Sequence, residues 1–144
     1  MISINLTQTV AAPAIKVRDN LLEHEKLNRF FNARFNLVKE QNAGEIKGGK
    51  GAIRQVTMNG ITFNEKIISA DNKHICYQIL GNKPVANHKG EIRFSDNKEG
   101  SVQKTEITYD ICCEAPWYMP NFAVTYFIKK DIRSALTKLA SSFE

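Results

Sequence analysis

Three cysteines in 144 residues are too few for a disulfide framework. Two of them, Cys112 and Cys113, are adjacent, so alternation along a strand would send them to opposite faces. Free thiols in a reducing cytosol are the expectation, which puts the chain in the cytoplasm. Long apolar runs are also missing, which argues against stable membrane insertion. Met1 to Leu6 carries no basic segment and alternates like a strand, so no secretory leader is expected. Ala11-Ala12-Pro13-Ala14 has the look of a cleavage site, but no apolar stretch precedes it. No nucleophile motif of the G-x-S-x-G kind occurs. His24 and His74 lack any partner spacing that suggests a metal, and no His, Cys and Asp fall at zinc-ligand spacing, so neither a metal nor a cofactor is expected. Gly44 to Gly51 nearly spells a phosphate loop, but Gly51 stands where a magnesium-binding Ser or Thr is required. A strand rather than a helix is expected to follow it.

The chain that remains is 42% hydrophobic and 24% charged, the balance of a soluble globular protein. No repeat, low-complexity tract or linker divides it, so residues 1–144 read as one domain with room for a real core. Twenty Lys and Arg against 15 Asp and Glu leave a formal charge of +5. That permits contact with nucleic acid or an anionic membrane without requiring either. Apart from Lys47–Lys50 and Lys129-Lys130 the lysines are scattered, with no interleaved stacking aromatics. A solvated surface and no nucleic-acid partner are therefore expected.

Met58-Asn59-Gly60-Ile61 is the strongest local signal, because Asn-Gly between apolar residues predicts a two-residue type I′ hairpin. Counting outward sets Met58 opposite Ile61, Val56 opposite Phe63, Arg54 opposite Glu65 and Ala52 opposite Ile67. Side chains alternate along a strand, so all eight share one face of the sheet. One charged pair on an otherwise apolar face is either a polar anchor for a ligand or a structural ion pair.

Around this hairpin the pattern predicts a strand over 2–11, a helix over 13–22 started by Pro13, and a second short helix near His24 to Phe31. Strands follow over 34–41, 51–58, 61–70, 73–80, 86–95 and 101–113, with a turn from Asp96 to Gly100. His88, Gly90, Ile92 and Phe94 fall on one face of their strand, and Lys89, Glu91 and Arg93 on the other. A final helix near 119–142 carries the stripe Thr125, Ile128, Ile132, Ala135, Leu136, Leu139 and Phe143, with Met119, Phe122 and Tyr126 extending it. A long antiparallel meander with one wet face must bury the other under that helix. A sheet curled around one helix encloses more space than side chains readily fill.

This order resembles the START-like superfamily with the helix-grip fold, in particular its polyketide cyclase/dehydrase and lipid-transport (SRPBCC) branch. The resemblance rests on Thr9 to Ala14 with Val17 and Leu21-Leu22, then Gly49 to Arg54, Gly60, Glu65, Asp71 and Tyr77 to Ile79. Pro84-Val85 through His88, Thr105 with Ile107 and Tyr109, and Leu136 through Leu139 complete it. It covers nearly the whole chain and is specific for the fold rather than for one activity. It implies an α+β fold: a curved seven-stranded antiparallel sheet wrapped around a long C-terminal helix, with two short helices between the first two strands. It also implies a hydrophobic cavity that takes a lipid, polyketide or aromatic molecule, in some members as a cyclase or aromatase. Arg54 and Glu65 match a recurring Arg and Glu of the family. Arg18 and His88 depart from it, each standing where an aromatic is common.

The leading expectation is a small, mostly apolar ligand held as in a carrier or sensor. Its pocket walls would be Phe35, Val56, Met58, Phe63, Ile67, Tyr77, Ile92, Tyr109, Ile128 and Ile132. Arg54, Glu65 and His88 would supply the polar contacts. Arg offers planar donors and keeps its charge, and a histidine titrates near neutrality. The bland readings are a cross-strand ion pair and a satisfied core histidine. Tyr77, Tyr109, Tyr126 and Thr105 either bond a ligand or pack with their hydroxyls satisfied elsewhere. Trp117, Tyr118 and Met119 either gate the pocket or anchor their loop. The rival is a cyclase or dehydratase in which His88, Tyr109 or Glu65 moves protons. A third reading is an interaction module with a filled core. A monomer or homodimer fits any of these.

Overall fold

Turn chemistry and alternation account for most of the sheet. The computed structural model describes residues 1–99 and 102–144. Strand β1 (Ile2–Val10) leads into helix α1 (Ala14–Leu22) and a 3-10 turn over His24–Arg29. Strands β2 (Arg34–Lys39), β3 (Ile53–Met58), β4 (Ile61–Ala70) and β5 (His74–Leu80) follow. Then come β6 (Ala86–Glu99), β7 (Val102–Glu114) and helix α2 (Asn121–Ser141). All seven strands form one antiparallel sheet in the order β1-β7-β6-β5-β4-β3-β2. This is the α+β helix-grip arrangement expected from the sequence, with β1 brought beside β7 by the long return through the meander.

The hairpin register is as counted. Asn59 and Gly60 both take positive φ, 51° and 77°, which a type I′ turn requires. Met58 pairs with Ile61, Val56 with Phe63 and Arg54 with Glu65. The Ile67 amide then donates to the Ala52 carbonyl at 2.9 Å. Register shifts between Leu37 and Lys39, Ile67 and Ser69, and Ala86 and Lys89 break the ladder. Each adds bend and twist, which curls the sheet toward α2.

Both helices start directly after a proline, Pro13 and Pro120, whose extended φ/ψ launches the first turn. Helix α1 buries Val17, Leu21 and Leu22, and also Arg18. The guanidinium of Arg18 donates to Asn72 at 2.5 Å and to Asp19 at 2.8 Å. Arg18 thus ties α1 to the β4–β5 turn. Thr105, fully buried, donates its hydroxyl to the Ala12 carbonyl at 2.7 Å. It therefore fixes the entrance to α1, and its hydroxyl is already committed.

Two expectations need correction. Strand β6 does not turn at Asp96, because Asp96 pairs with Thr105 and Asn97 with Lys104, carrying the strand to Glu99. Gly100, the end of the expected turn, lies outside the described residues. On α2 the buried stripe runs through Val124, Ile132, Ala135, Leu136 and Leu139. Phe122 and Tyr126 do not extend it but face outward. At 100° per residue they fall on the side of the helix opposite Val124 and Leu139. Cys113 is buried and Cys112 exposed, as alternation requires. Among the described residues no helix is long and apolar enough to cross a membrane.

Candidate functional site

The inner face of the sheet does not fill the space under α2. A cavity of about 390 Å³ remains between β2–β7 and the first half of the helix. Its walls are mostly apolar. Val56, Met58 and Phe63 come from the hairpin, Phe35 from β2, and Val124, Ile128 and Ile132 from α2. At one level of the sheet the wall turns polar. Arg54 of β3, Glu65 of β4, Tyr77 of β5 and, across β6, Tyr109 of β7 line the cavity together and form a floor.

The floor is buried and internally bonded. Arg54 and Glu65 are each only 8% exposed, and Arg54 Nε donates to Glu65 Oε1 at 2.8 Å. A charged pair so far from water is held by its geometry, since each ion alone would carry a large desolvation penalty. The guanidinium also lies over two rings, 5.1 Å from the Tyr77 centroid and 5.6 Å from that of Phe35. Such stacking suits the planar, weakly hydrated arginine head. Burial is the largest single influence and works against its charge, but Glu65 together with Tyr77 and Tyr109 more than offsets it and holds the Arg54 pKa above its ordinary value.

Tyr77 and Tyr109 share a hydrogen bond between their hydroxyls. Burial pushes both phenols up, Tyr77 well above the usual range. Both therefore act as neutral hydrogen-bonding groups near neutral pH. Tyr77 reaches its position because β6 has a glycine beside it. A Cβ on Gly90 would come within 2.5 Å of the Tyr77 ring, closer than any side chain tolerates. The glycine that broke the apolar pattern of β6 is a notch for a tyrosine.

His88, on β6 beside Tyr77, accepts from the Ile79 amide on Nδ1 at 3.2 Å. That bond leaves the proton of the neutral ring on Nε2. Burial lowers its pKa, so the ring is neutral at physiological pH.

His24 was not among the expected site residues, yet it completes the floor. Its Nε2 bonds the Gly48 carbonyl at 2.8 Å, and its Nδ1 accepts from Arg54 Nη1 at 3.2 Å. Burial first and the Arg54 charge second lower its pKa to about 4. Gly48, with φ of +77°, has the Leu22 carbonyl where a Cβ would sit. The glycine-rich loop thus holds a backbone acceptor against a buried imidazole. Its spacing in the sequence resembles a phosphate loop, but its role here is to lock His24. Nothing in the sequence links residue 24 to residue 54; the sheet's curvature brings them together.

Eleven of the thirteen residues expected at the pocket border the cavity; Ile67 and Ile92 do not. Both are buried in the core. Ile67 pairs with Tyr77 and Ile92 with Tyr109, so each stands directly across from a tyrosine of the floor but packs into the core instead of bordering the cavity. The correct face was thus assigned, but the floor cuts it into a hollow half and a packed half. Met119 borders the cavity, whereas Trp117 and Tyr118 stand outside it in solvent. Phe31, Val85, Pro116 and Phe127 also line it; their loop and helix positions carry no period from which a wall is legible. The described charged residues of the lining are Arg54, Glu65 and Asp131. One cation, already paired, therefore faces two carboxyl groups.

A family model described as polyketide cyclase / dehydrase and lipid transport matches residues 1–144. No curated protein matches the sequence. Among solved structures, a START superfamily protein from Mycobacterium smegmatis is similar at a TM-score of 0.76 and 16% identity, covering 98% of this chain and 96% of that one. The protein XoxI from Bacillus cereus is similar at 0.75 and 13%, covering 99% and 96%. A protein from Thermobifida fusca follows at 0.74 and 15%, covering 99% and 93%. At such identities these likenesses concern the fold alone.

Proposed function

We propose that this chain, which belongs to the polyketide cyclase / dehydrase and lipid transport family, binds a small, neutral, mostly apolar molecule that carries a hydroxyl or carbonyl group. The observation that carries this reading is the contrast within one cavity: apolar walls, and a single compact polar floor of Arg54, Glu65, Tyr77 and Tyr109. A volume of about 390 Å³ suits a ligand of drug size. Apolar walls supply affinity, and a few fixed donors and acceptors supply orientation.

The floor also bears on ligand charge. A carboxylate would meet Arg54 only in competition with Glu65, and would approach both Glu65 and Asp131. The histidine nearest the guanidinium is neutral, with its pKa lowered to about 4. No spare cation on the described lining compensates an added anion. A neutral oxygen, by contrast, can accept from a tyrosine hydroxyl or the guanidinium edge without displacing Glu65. The free thiols fit action in the cytoplasm as a carrier or sensor.

The test is native mass spectrometry of freshly purified protein, then denaturing extraction and a thermal-shift panel of matched alcohols, ketones and carboxylic acids. Retained neutral lipid, polyketide or aromatic molecules, and stabilisation by the alcohol or ketone over the matching acid, support the reading. Preferential stabilisation by the acids sinks the neutral-ligand claim.

One observation favours a second reading, a cyclisation or dehydration on the same surface. Two neutral phenols and the neutral ring of His88 sit together on the cavity wall. Groups so placed can donate protons to a folded polyketone chain. Turnover of such a chain by the wild type, lost in Tyr109→Phe with ligand retention unchanged, would favour it.

A further inference from the structure

The outer side of α2 is unlike the rest of the surface. Trp117 is 96% exposed, Phe122 78%, Tyr118 65% and Tyr126 60%. The Trp117 and Tyr118 rings pack on each other at 5.7 Å, as do Tyr126 and Phe127 at 5.5 Å, so they cover one another rather than the core. Large aromatics are rarely left in water in a cluster.

Cations share that face. At 100° per residue Phe122, Tyr126, Lys129, Lys130 and Arg133 fall within about one third of the helix circumference. All five are exposed. Asp131, the acid of α2, borders the cavity on another side of the helix. The outer stripe is thus aromatic at the N-terminal end and carries cations without an acid further along. Residues next to the aromatics in the chain, Pro116, Met119 and Phe127, line the cavity. The patch therefore adjoins the cavity's margin.

We infer that this face docks on the surface of an anionic lipid bilayer. Trp117, Tyr118, Phe122 and Tyr126 would sit at headgroup depth, and Lys129, Lys130 and Arg133 on the acidic headgroups. Trp and Tyr favour that boundary because each has an apolar body and a polar tip. Cations beside an apolar face add attraction to anionic lipid. A second copy of the chain is a poor occupant, since it would bring three more cations to the contact with no acid on the stripe to pair them. Docked this way, the cavity margin meets lipid instead of water. The surface goes beyond the ligand reading and is tested without any cavity ligand, so either can fail alone.

The experiment is co-sedimentation of the whole chain with phosphatidylcholine vesicles, with and without phosphatidylglycerol. Trp117 is the single tryptophan, so its fluorescence reports on this face alone. Binding to the anionic vesicles that weakens with salt is expected, with a blue shift of Trp117 and quenching by brominated lipid. Lys129→Glu/Lys130→Glu/Arg133→Glu should weaken binding on the order of a hundredfold. Trp117→Ala/Phe122→Ser should weaken the binding that persists at high salt. All five side chains are exposed, and an unchanged unfolding midpoint checks that the variants fold. Absence of binding at low salt overturns the proposal. So does equal binding to neutral vesicles, an undiminished charge-reversal variant, or a Trp117 that stays open to aqueous quencher on the vesicle. Self-association abolished by the same variants would assign the face to a second copy instead.

Discussion

Lowering the pH should destabilise this protein through a buried imidazole. His24 is 4% exposed, and its proton sits on Nε2 against the Gly48 carbonyl. A second proton would have to go on Nδ1, which faces Arg54 Nη1 at 3.2 Å. Burial first and the Arg54 charge second make the folded chain resist that proton, and the pKa falls from 6.5 to about 4. Between those values the unfolded chain binds more protons than the folded one, so stability rises with pH there. The contribution is complete above about 6.5, shrinks as the pH falls, and is gone once the pH passes about 4. The gap is worth roughly 3 kcal/mol, a large share of the ~5–15 kcal/mol that holds a typical domain. The assay is urea unfolding at a series of pH values, for the wild type and for His24→Gln. The variant keeps a donor for Gly48 and cannot titrate. Other ionisable groups, His88 among them, are common to both proteins and cancel in the difference. Between pH 7 and 4 the wild type should lose roughly 3 kcal/mol more than the variant. Two parallel profiles would refute the lowered pKa of His24 in the folded chain.

Arg54→Ala should cost about 3–5 kcal/mol of stability, because it strands Glu65 in a buried site. The paired replacement Arg54→Met/Glu65→Leu should restore most of that in urea unfolding, yet still weaken a neutral oxygenated ligand about tenfold or more by calorimetry. Gly90→Ala should drive the Tyr77 ring from its place and lower stability by about 1–3 kcal/mol, visible as a changed near-ultraviolet dichroism of the tyrosines. Unchanged dichroism and stability would mean that the Tyr77 ring does not rest on Gly90. Ile128→Trp should fill the cavity from α2, abolishing ligand retention in native mass spectrometry while the unfolding midpoint holds or rises; full retention would put the ligand elsewhere.

What was legible in the sequence is what short-range geometry determines. Asn59-Gly60 set the turn, the turn set the register, and the register put Arg54 opposite Glu65. Alternation then put His88, Tyr77 and Tyr109 on the face that borders the cavity. Depth along that face was not legible. Ile67 and Ile92 satisfy the same alternation as Phe63 and His88, and only the curl of the sheet under α2 decides which half packs solid. His24 was missed for the same reason, since its meeting with Arg54 depends on where the Gly48 loop closes. On α2 the aromatic spacing was compatible with the core stripe, and a shift of about half a turn separates Tyr126 outside from Val124 inside.

The polar floor makes binding and stability hard to separate by single substitutions. Arg54 is at once the strongest donor available to a ligand and one half of a buried ion pair with Glu65. After burial, its charge is also the second influence that lowers the pKa of His24. Removing it alone changes three interactions, and any loss of affinity then mixes a lost contact with a disturbed floor. Replacing both ions by apolar groups of similar volume removes the stranded charge and leaves the contact as the main difference. The same coupling runs in reverse. A ligand that accepts from the floor without displacing Glu65 stabilises the folded chain by its full binding energy, whereas one that competes for Arg54 loses the part needed to leave Glu65 unpaired. The matched alcohol and acid therefore differ most at this one pair of side chains, and the sign of that difference tests the floor more directly than the affinity of either.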